Sequence, residues 1–164
     1  MNMRAAVRVC VFLLVLALGL PLTGCGEAQK MREYNQGILT AGTAINEATM
    51  HFNDAFEAFK REYSAEHRDA LIQAAGELND AYQLLGSLEA PEKYSQVQDC
   101  YRESADLIKK AVEGYQEQLG SIVSASDITE DFVWEMQDID DYLSQAREKL
   151  MEGSELGQAI NEEN

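Results

Sequence analysis

The sequence predicts an all-α protein: an antiparallel up-down-up-down four-helix bundle that follows a cleaved signal peptide. Only two prolines, Pro21 and Pro91, occur in the 164 residues. The region after the leader is rich in Ala, Glu, Gln, Asp and Leu, a composition that favours long helices. Four segments then place apolar residues at alternating steps of three and four, which is typical of helices with one buried face.

The first 24 residues indicate an export signal. Arg4 and Arg8 stand in a segment without acidic residues, and an apolar run from Val9 to Leu20 leads to Pro21. A basic start, a short apolar core and small residues at the processing site are the parts of such a signal. The core is shorter than the roughly 20 apolar residues of a membrane span. We therefore expect cleavage rather than retention in the bilayer.

The first bundle helix is predicted from about residue 28 to 63. At 1.5 Å per residue it would be about 54 Å long, against about 35 Å for the second helix. Either its first turns project as a stalk, or it kinks near Gly37 or Gly42. Its apolar stripe consists of Met31, Tyr34, Ile38, Ala41, Ile45, Ala48, Phe52, Ala55 and Phe59.

The second helix follows almost without a loop and is predicted to start at a Ser64 cap. Such a tight connection makes the two helices antiparallel neighbours. The segment from Gly86 to Ala90 ends the pattern, and Pro91 is predicted as the first residue of the third helix, where its missing N–H costs nothing. The second stripe consists of Leu71, Ala74, Leu78, Ala81, Leu85 and Leu88.

The third connection is predicted from Gly120 to Ser126. Asp127, with Glu130 three residues later, resembles a capping box that opens the fourth helix. The last twelve residues, 153–164, are predicted to be an acidic flexible tail. The third stripe is Tyr94, Val97, Tyr101, Ser104, Ile108, Ala111, Tyr115 and Ile122, and the fourth is Phe132, Met136, Ile139, Leu143, Ala146 and Leu150. The bundle proper is therefore predicted over residues 31–152.

The segment Leu22-Thr23-Gly24-Cys25 resembles a bacterial lipobox, in which the cysteine becomes the first residue of the mature chain. The resemblance implies cleavage between Gly24 and Cys25, a diacylglyceryl thioether on Cys25, and further acylation with a fatty acid such as palmitate. Two or three acyl chains hold a protein on a bilayer almost permanently, whereas one is marginal. Residues 25–30 would then be a lipidated tether on the extracytoplasmic face of a cell membrane. The alternative is an ordinary secretory signal with Cys25 left as a free thiol.

A second resemblance lies between the second and third helices. Leu88, Pro91 and Tyr94 form a Leu-x-x-Pro-x-x-Tyr pattern that is similar to one in small uncharacterised all-helical bacterial lipoproteins. Those families have no assigned activity. The resemblance therefore implies the helical fold and no mechanism.

The charge of the mature chain argues against nucleic-acid binding. Removing residues 1–24 takes away two of 13 basic residues and none of 29 acidic ones, which leaves a formal charge of −18. Such a field repels phosphate backbones and anionic lipid surfaces. The membrane contact is therefore assigned to the lipid on Cys25. With that thiol acylated, Cys100 has no intramolecular disulfide partner.

The sequence offers no convincing catalytic or metal-binding set. His51 has Glu47 and Asp54 at helical spacing, but these acids fall toward solvent. Asp138, Asp140 and Asp141 are predicted to form an exposed acidic face, because the glycine that a calcium loop needs is replaced by Leu143. Cys100 has no histidine at helical spacing to lower the pKa of its thiol. We predict no catalytic residue, no metal site and no cofactor.

Two features remain as candidates for binding. Trp134 projects from the fourth helix on the side opposite the stripe, so it is either a contact residue or a cover over the third connection. Tyr94, Tyr101 and Tyr115 either line a ligand pocket or fill the bundle seam. We expect a lipid-anchored, non-enzymatic bundle that contacts another envelope protein. The alternative is an extracytoplasmic small-ligand or metal-binding protein with a pocket between helices.

Overall fold

The computed structural model describes residues 25–162, which form four α-helices and two short 3₁₀ turns. The helices are α1 (Cys25–Arg61), α2 (Ala65–Gly86), α3 (Ser95–Ser121) and α4 (Glu130–Glu162). The 3₁₀ turns, Glu92–Tyr94 and Ala125–Asp127, precede α3 and α4. The described residues contain no strand, and the predicted all-α four-helix bundle is confirmed. The predicted signal peptide and Gly24 lie outside the described residues.

The main contacts between helices join consecutive helices of the chain: α1 with α2, α2 with α3, and α3 with α4. Short connections place sequential helices side by side and antiparallel. The start of α1, the α2–α3 connection and the end of α4 therefore lie together, and we call this the Cys25 end. The α1–α2 and α3–α4 connections form the opposite end, which we call the far end.

The predicted apolar stripes form the core. All their residues are buried or half-buried, and most are fully buried. The stripe of α4 is the thinnest, since Phe132, Ile139 and Ala146 are buried whereas the intervening Met136 and Leu143 are half-buried. The first half of α4 therefore leaves a broad outer face in solvent.

The N-terminal turns of α1 project beyond the core. α1 begins at Cys25, three residues before its predicted start, so the predicted tether at residues 25–30 is helical. No residue from Gly26 to Glu33 is buried, and the buried face starts at Tyr34. The helix continues through Gly37, where Leu88 lies so close that an added Cβ would be 2.6 Å from its Cδ2.

The start of α2 confirms one capping prediction, and the start of α3 corrects another. The Ser64 hydroxyl accepts a hydrogen bond from the His67 backbone N–H at 3.0 Å. Pro91, in contrast, is not the first residue of α3. With ψ of 151° it is extended and precedes the 3₁₀ turn, and α3 begins at Ser95.

The predicted capping box at the start of α4 is also wrong in its residues. Asp127 closes a box with Ser124 instead, and its carboxylate accepts the Ser124 backbone N–H at 2.8 Å. The Thr129 hydroxyl accepts the Phe132 backbone N–H at 3.3 Å and so caps α4. Ser124 and Thr129 therefore cap two successive elements, the 3₁₀ turn and α4.

The flexible tail predicted from residue 153 is helical up to Glu162. Gly153 and Gly157 are buried, and a Cβ added at Gly153 would lie 2.7 Å from Cε1 of the Tyr101 ring. Near the end of α4, Asn161 accepts a hydrogen bond from the Tyr94 hydroxyl. A glycine that allows close helix packing adds no apolar side chain to a stripe, so the apolar pattern of α4 ends before Gly153.

Candidate contact surface and tyrosine cluster

Trp134 lies on the outer face of α4, near the far end of the bundle. It is 61% exposed. Val133 beside it is 40% exposed, and Val123 in the connection is 81% exposed. Phe132 points into the core and fixes the rotation of the helix, and this directs Trp134 outward. The predicted contact residue is therefore accessible.

The structure separates the three candidate pocket tyrosines. Tyr94 and Tyr101 lie near the Cys25 end, where Tyr34 of α1 joins them, and the Tyr34 and Tyr94 ring centroids are 5.9 Å apart. Tyr115 lies further along α3, with its ring 5.4 Å from that of Phe52. A single pocket lined by Tyr94, Tyr101 and Tyr115 is therefore not formed. We call Tyr34, Tyr94 and Tyr101 the tyrosine cluster.

Two hydroxyls of the tyrosine cluster lack hydrogen-bond partners among the described residues. The side chains of Tyr34 and Tyr101 are almost completely buried, and neither hydroxyl is bonded. Burial raises the pKa of Tyr101 to about 12. Burial also raises the pKa of Tyr34, and the neighbouring Tyr101 and Tyr94 raise it further. Both groups therefore remain neutral donors at any physiological pH.

Gln98 is a third buried polar residue on this side of α3. Its amide nitrogen donates to the backbone carbonyls of Leu85 and Gly86, at 3.0 and 2.9 Å, and so joins α3 to the end of α2. Its amide oxygen has no partner within the described part of the chain. The sequence patterns did not mark Tyr34 or Gln98 as candidate site residues. Tyr34 matched the apolar stripe of α1 like any core residue, and Gln98 resembles any surface glutamine.

A shallow cleft opens beside the tyrosine cluster. It has a volume of about 220 Å³ and lies between the first turns of α1 and the α2–α3 connection. Its lining residues are Lys30, Glu33, Tyr34, Leu88, Glu89 and Ala90. The cleft therefore joins one buried tyrosine to solvent and to charged side chains of both signs.

The Tyr115 hydroxyl is hydrogen-bonded to a carboxylate and does not face the cleft. Its hydroxyl donates to Asp140 Oδ1 at 2.7 Å. Burial raises the pKa of Asp140, although the hydrogen bond from Tyr115 opposes that rise. Asp140 was predicted to lie on an exposed face with Asp138 and Asp141. Those two are exposed, but Asp140 is half-buried against α3.

His51 was considered for metal binding and Cys100 for nucleophilic chemistry, and the structure gives the neighbours of both. Nδ1 of His51 lies 3.2 Å from Oε2 of Glu77 on α2. Cys100 is buried, and burial and then the nearby Glu152 raise the pKa of its thiol, which leaves little thiolate. Within the described residues, no three His, Cys, Asp or Glu side chains are placed to hold a metal ion.

Cys25, the predicted lipidation site, is the first residue of α1. None of the helices described between residues 25 and 162 combines the length and apolar character of a membrane span. The lipobox prediction itself rests on the sequence of residues 22–25.

Comparisons with protein-family models, with curated proteins and with solved structures gave no match to this chain. The function is therefore inferred from the residues of the chain itself.

Proposed function

We propose that the protein is a lipid-anchored, extracytoplasmic helical bundle that acts without catalysis, by contact between the outer face of α4 and another envelope protein. The observation that carries this proposal is the exposure of Trp134, at 61%, on a helix whose opposite side is buried. Large exposed aromatic side chains are frequent anchors of protein interfaces. The anchor is proposed to be a lipid on Cys25.

The projecting turns of α1 support the anchor. Cys25 is followed by two helical turns without a buried residue, so a lipid there can enter a bilayer without disturbing the core. The lipobox resemblance supplies the chemistry, since a thioether requires the thiol of Cys25. The same end of the bundle carries the tyrosine cluster and the end of α4.

The fold then holds the contact surface away from the membrane. From Cys25 to Tyr34, α1 rises about 13 Å, because an α-helix rises 1.5 Å per residue. Tyr94 contacts Tyr34 and Asn161, so these residues lie at a similar height. From Asn161 back to Trp134, α4 rises about 40 Å in the opposite chain direction. An upright bundle therefore presents Trp134 on the order of 50 Å from the anchor.

The anchor is tested by replacing each cysteine of the mature chain in its native host. Cys25→Ser should abolish incorporation of a clickable palmitate analogue and release the protein from the membrane fraction. Cys100→Ser is the matched control, because it removes the other thiol and should leave labelling unchanged. Labelling of the Cys25→Ser protein, or an unmodified amino terminus on Cys25 by mass spectrometry, would refute the anchor.

The contact is tested by photocrosslinking in the same cells. A photoreactive amino acid replaces Trp134 in one strain and Glu113, on the exposed outer face of α3, in another. We expect a discrete crosslinked product with a single envelope protein from position 134 and none from position 113. Identical products from both positions, or none from position 134, would refute the contact surface.

The tyrosine cluster favours a second candidate function, the binding of a small polar ligand. Tyr34 lines the cleft of about 220 Å³, and its hydroxyl and that of the neighbouring Tyr101 have no partners among the described residues, which suits a hydrogen-bonding guest. Such a ligand should raise the melting temperature of the purified protein, and the double change Tyr34→Phe and Tyr101→Phe should abolish that rise. Absence of any shift across a panel of small polar molecules that includes aromatic and cationic ones would remove this candidate.

A further inference from the structure

The outer face of α4 around Trp134 carries a charge pattern of a single sign. From Ala111 to Ala146 the chain contains nine acidic residues and no lysine, arginine or histidine. Most of these acids fall on the first half of α4 and on the turn before it. This segment includes Val123, Val133 and Trp134, three exposed apolar side chains.

Four exposed acids surround Trp134 on the helix surface: Glu130, Asp131, Asp138 and Asp141. The first three stand three or four residues from Trp134, and residues at this spacing are neighbours on a helix. Asp141 lies two turns away on the same face. The indole is therefore bordered by carboxylates on both sides along the helix axis.

None of these four carboxylates forms an ion pair within residues 25–162. The ion pairs of the described chain involve Glu57, Asp69, Glu77, Asp99, Glu103 and Glu152. Lys109 and Lys110 of the adjacent α3 are exposed, and neither is paired with α4. The negative charge around Trp134 is therefore not neutralised by the bundle.

We infer that this face binds a basic segment of a partner protein, whose lysine or arginine side chains lie over the Trp134 indole and pair with the surrounding carboxylates. Tryptophan is the best aromatic partner for a cation over a ring. The carboxylates add attraction and raise the association rate. The exposed valines give the apolar contact that a polypeptide needs and a small cation does not. This inference rests on the proposed contact function and adds the chemistry of the partner.

The test uses the full chain purified in a non-ionic detergent, with capped octalysine as the probe. Trp134 is the only tryptophan, so its emission reports on this face alone. We expect a saturable change in emission. The apparent affinity should fall as NaCl is raised from about 0.01 to about 0.15 M, because the Debye length shortens from about 30 to about 8 Å.

Two charge variants distinguish this face from general attraction to an acidic protein. Glu130→Gln with Asp138→Asn should weaken octalysine binding about tenfold, because it removes two of the carboxylates that pair with the lysines of the probe. Glu113→Gln with Glu117→Gln removes two exposed acids from the outer face of α3 and should change the affinity less than about twofold. Equal weakening by both variants would overturn the inference.

The indole and the size of the ligand are tested separately. Trp134→Leu, followed by calorimetry, should weaken binding about two- to fivefold, as expected for an exposed cation–π contact. An unchanged affinity would overturn the inference. Saturation by tetramethylammonium chloride at equal charge concentration would also overturn it, in favour of a small-cation site.

The outcome in cells separates this inference from the proposed function. If position 134 gives no crosslinked product, the contact function itself fails. If a product forms and the combined change Glu130→Gln and Asp138→Asn leaves its yield unchanged, the contact stands and the basic partner is refuted. Loss of the product in that variant, with retention in the α3 control, is the result we expect.

Discussion

Tyr101 and Tyr115 stand on one helix, are both almost completely buried, and differ in one respect that can be measured. The Tyr115 hydroxyl donates to Asp140 at 2.7 Å, whereas the Tyr101 hydroxyl has no partner among the described residues. Replacing each with phenylalanine removes one oxygen and keeps the ring. We therefore expect changes in stability of opposite sign.

The magnitudes follow from the two environments. A hydrogen bond to a charged group contributes about 1.5–3 kcal/mol, so Tyr115→Phe should lower the free energy of unfolding by that amount. An unsatisfied buried polar group costs about 1–3 kcal/mol, so Tyr101→Phe should raise stability by about 1 kcal/mol. In a chain of this size, each 1 kcal/mol corresponds to about 2–4 °C in melting temperature.

Urea unfolding followed by far-ultraviolet circular dichroism measures both variants. The transition midpoints should move in opposite directions while the slope of each transition stays unchanged, which shows that the folded state is otherwise the same. A Tyr101→Phe protein that is destabilised as strongly as Tyr115→Phe would refute the reasoning. That result would mean that the Tyr101 hydroxyl has a stabilising partner, such as a bound water or ligand.

Further predictions concern packing, pH and orientation. Gly76 lies in a helix with open space around it, so Gly76→Ala should stabilise the protein by about 0.5–1 kcal/mol. Gly153→Ala should destabilise the protein by about 1–3 kcal/mol, because the added methyl group would collide with the Tyr101 ring. Thermal melts compare the two variants. The backbone N–H groups of residues 123 and 124 lower the pKa of Asp127, so its contribution to stability is present above about pH 4 and is lost as the pH falls through the lowered pKa. Burial raises the pKa of Asp140, so the stability contributed by its neutral form is present below about pH 4 and is lost as the pH rises through the raised pKa. Asp127→Asn should therefore be less stable than wild type at pH 7 and Asp140→Asn more stable, and in urea titrations each difference should shrink as the pH falls through the pKa of the carboxyl concerned. In vesicles, Trp134 should transfer little energy to a short-range acceptor in the lipid headgroups, and a flexible linker inserted between Cys25 and Gly26 should increase the transfer.

The sequence predicted the helices and their buried faces because each stripe repeats the same spacing over several turns. Residues such as Ile38, Leu71 and Ile108 lie where that spacing placed them. Periodicity reports which side of a helix is apolar, and in a bundle with short connections that side must face the other helices. This part of the fold therefore follows from local pattern alone.

The features that the pattern missed depend on contacts between helices. Gly153 is buried because the Tyr101 ring approaches it closely, and no local rule distinguishes such a glycine from one that ends a helix. Asp140 is half-buried because it accepts the Tyr115 hydroxyl, although its sequence neighbours face solvent. The grouping of Tyr34 with Tyr94 and Tyr101 likewise needs the relative height of three helices, which periodicity does not give.

The contact face can be altered without loss of the fold, because α4 uses different residues for packing and for display. Phe132 and Ile139 provide its burial near the far end, whereas Trp134 and Asp138 lie on the other side. Substitutions at exposed positions without special contacts usually change stability by less than about 0.5 kcal/mol. Glu130 lies in the first turn of α4, where its charge favours the helix, and the reduced like-charge repulsion along this face offsets part of the stability lost with it. A loss of binding in these variants would therefore report on the contact itself and not on unfolding.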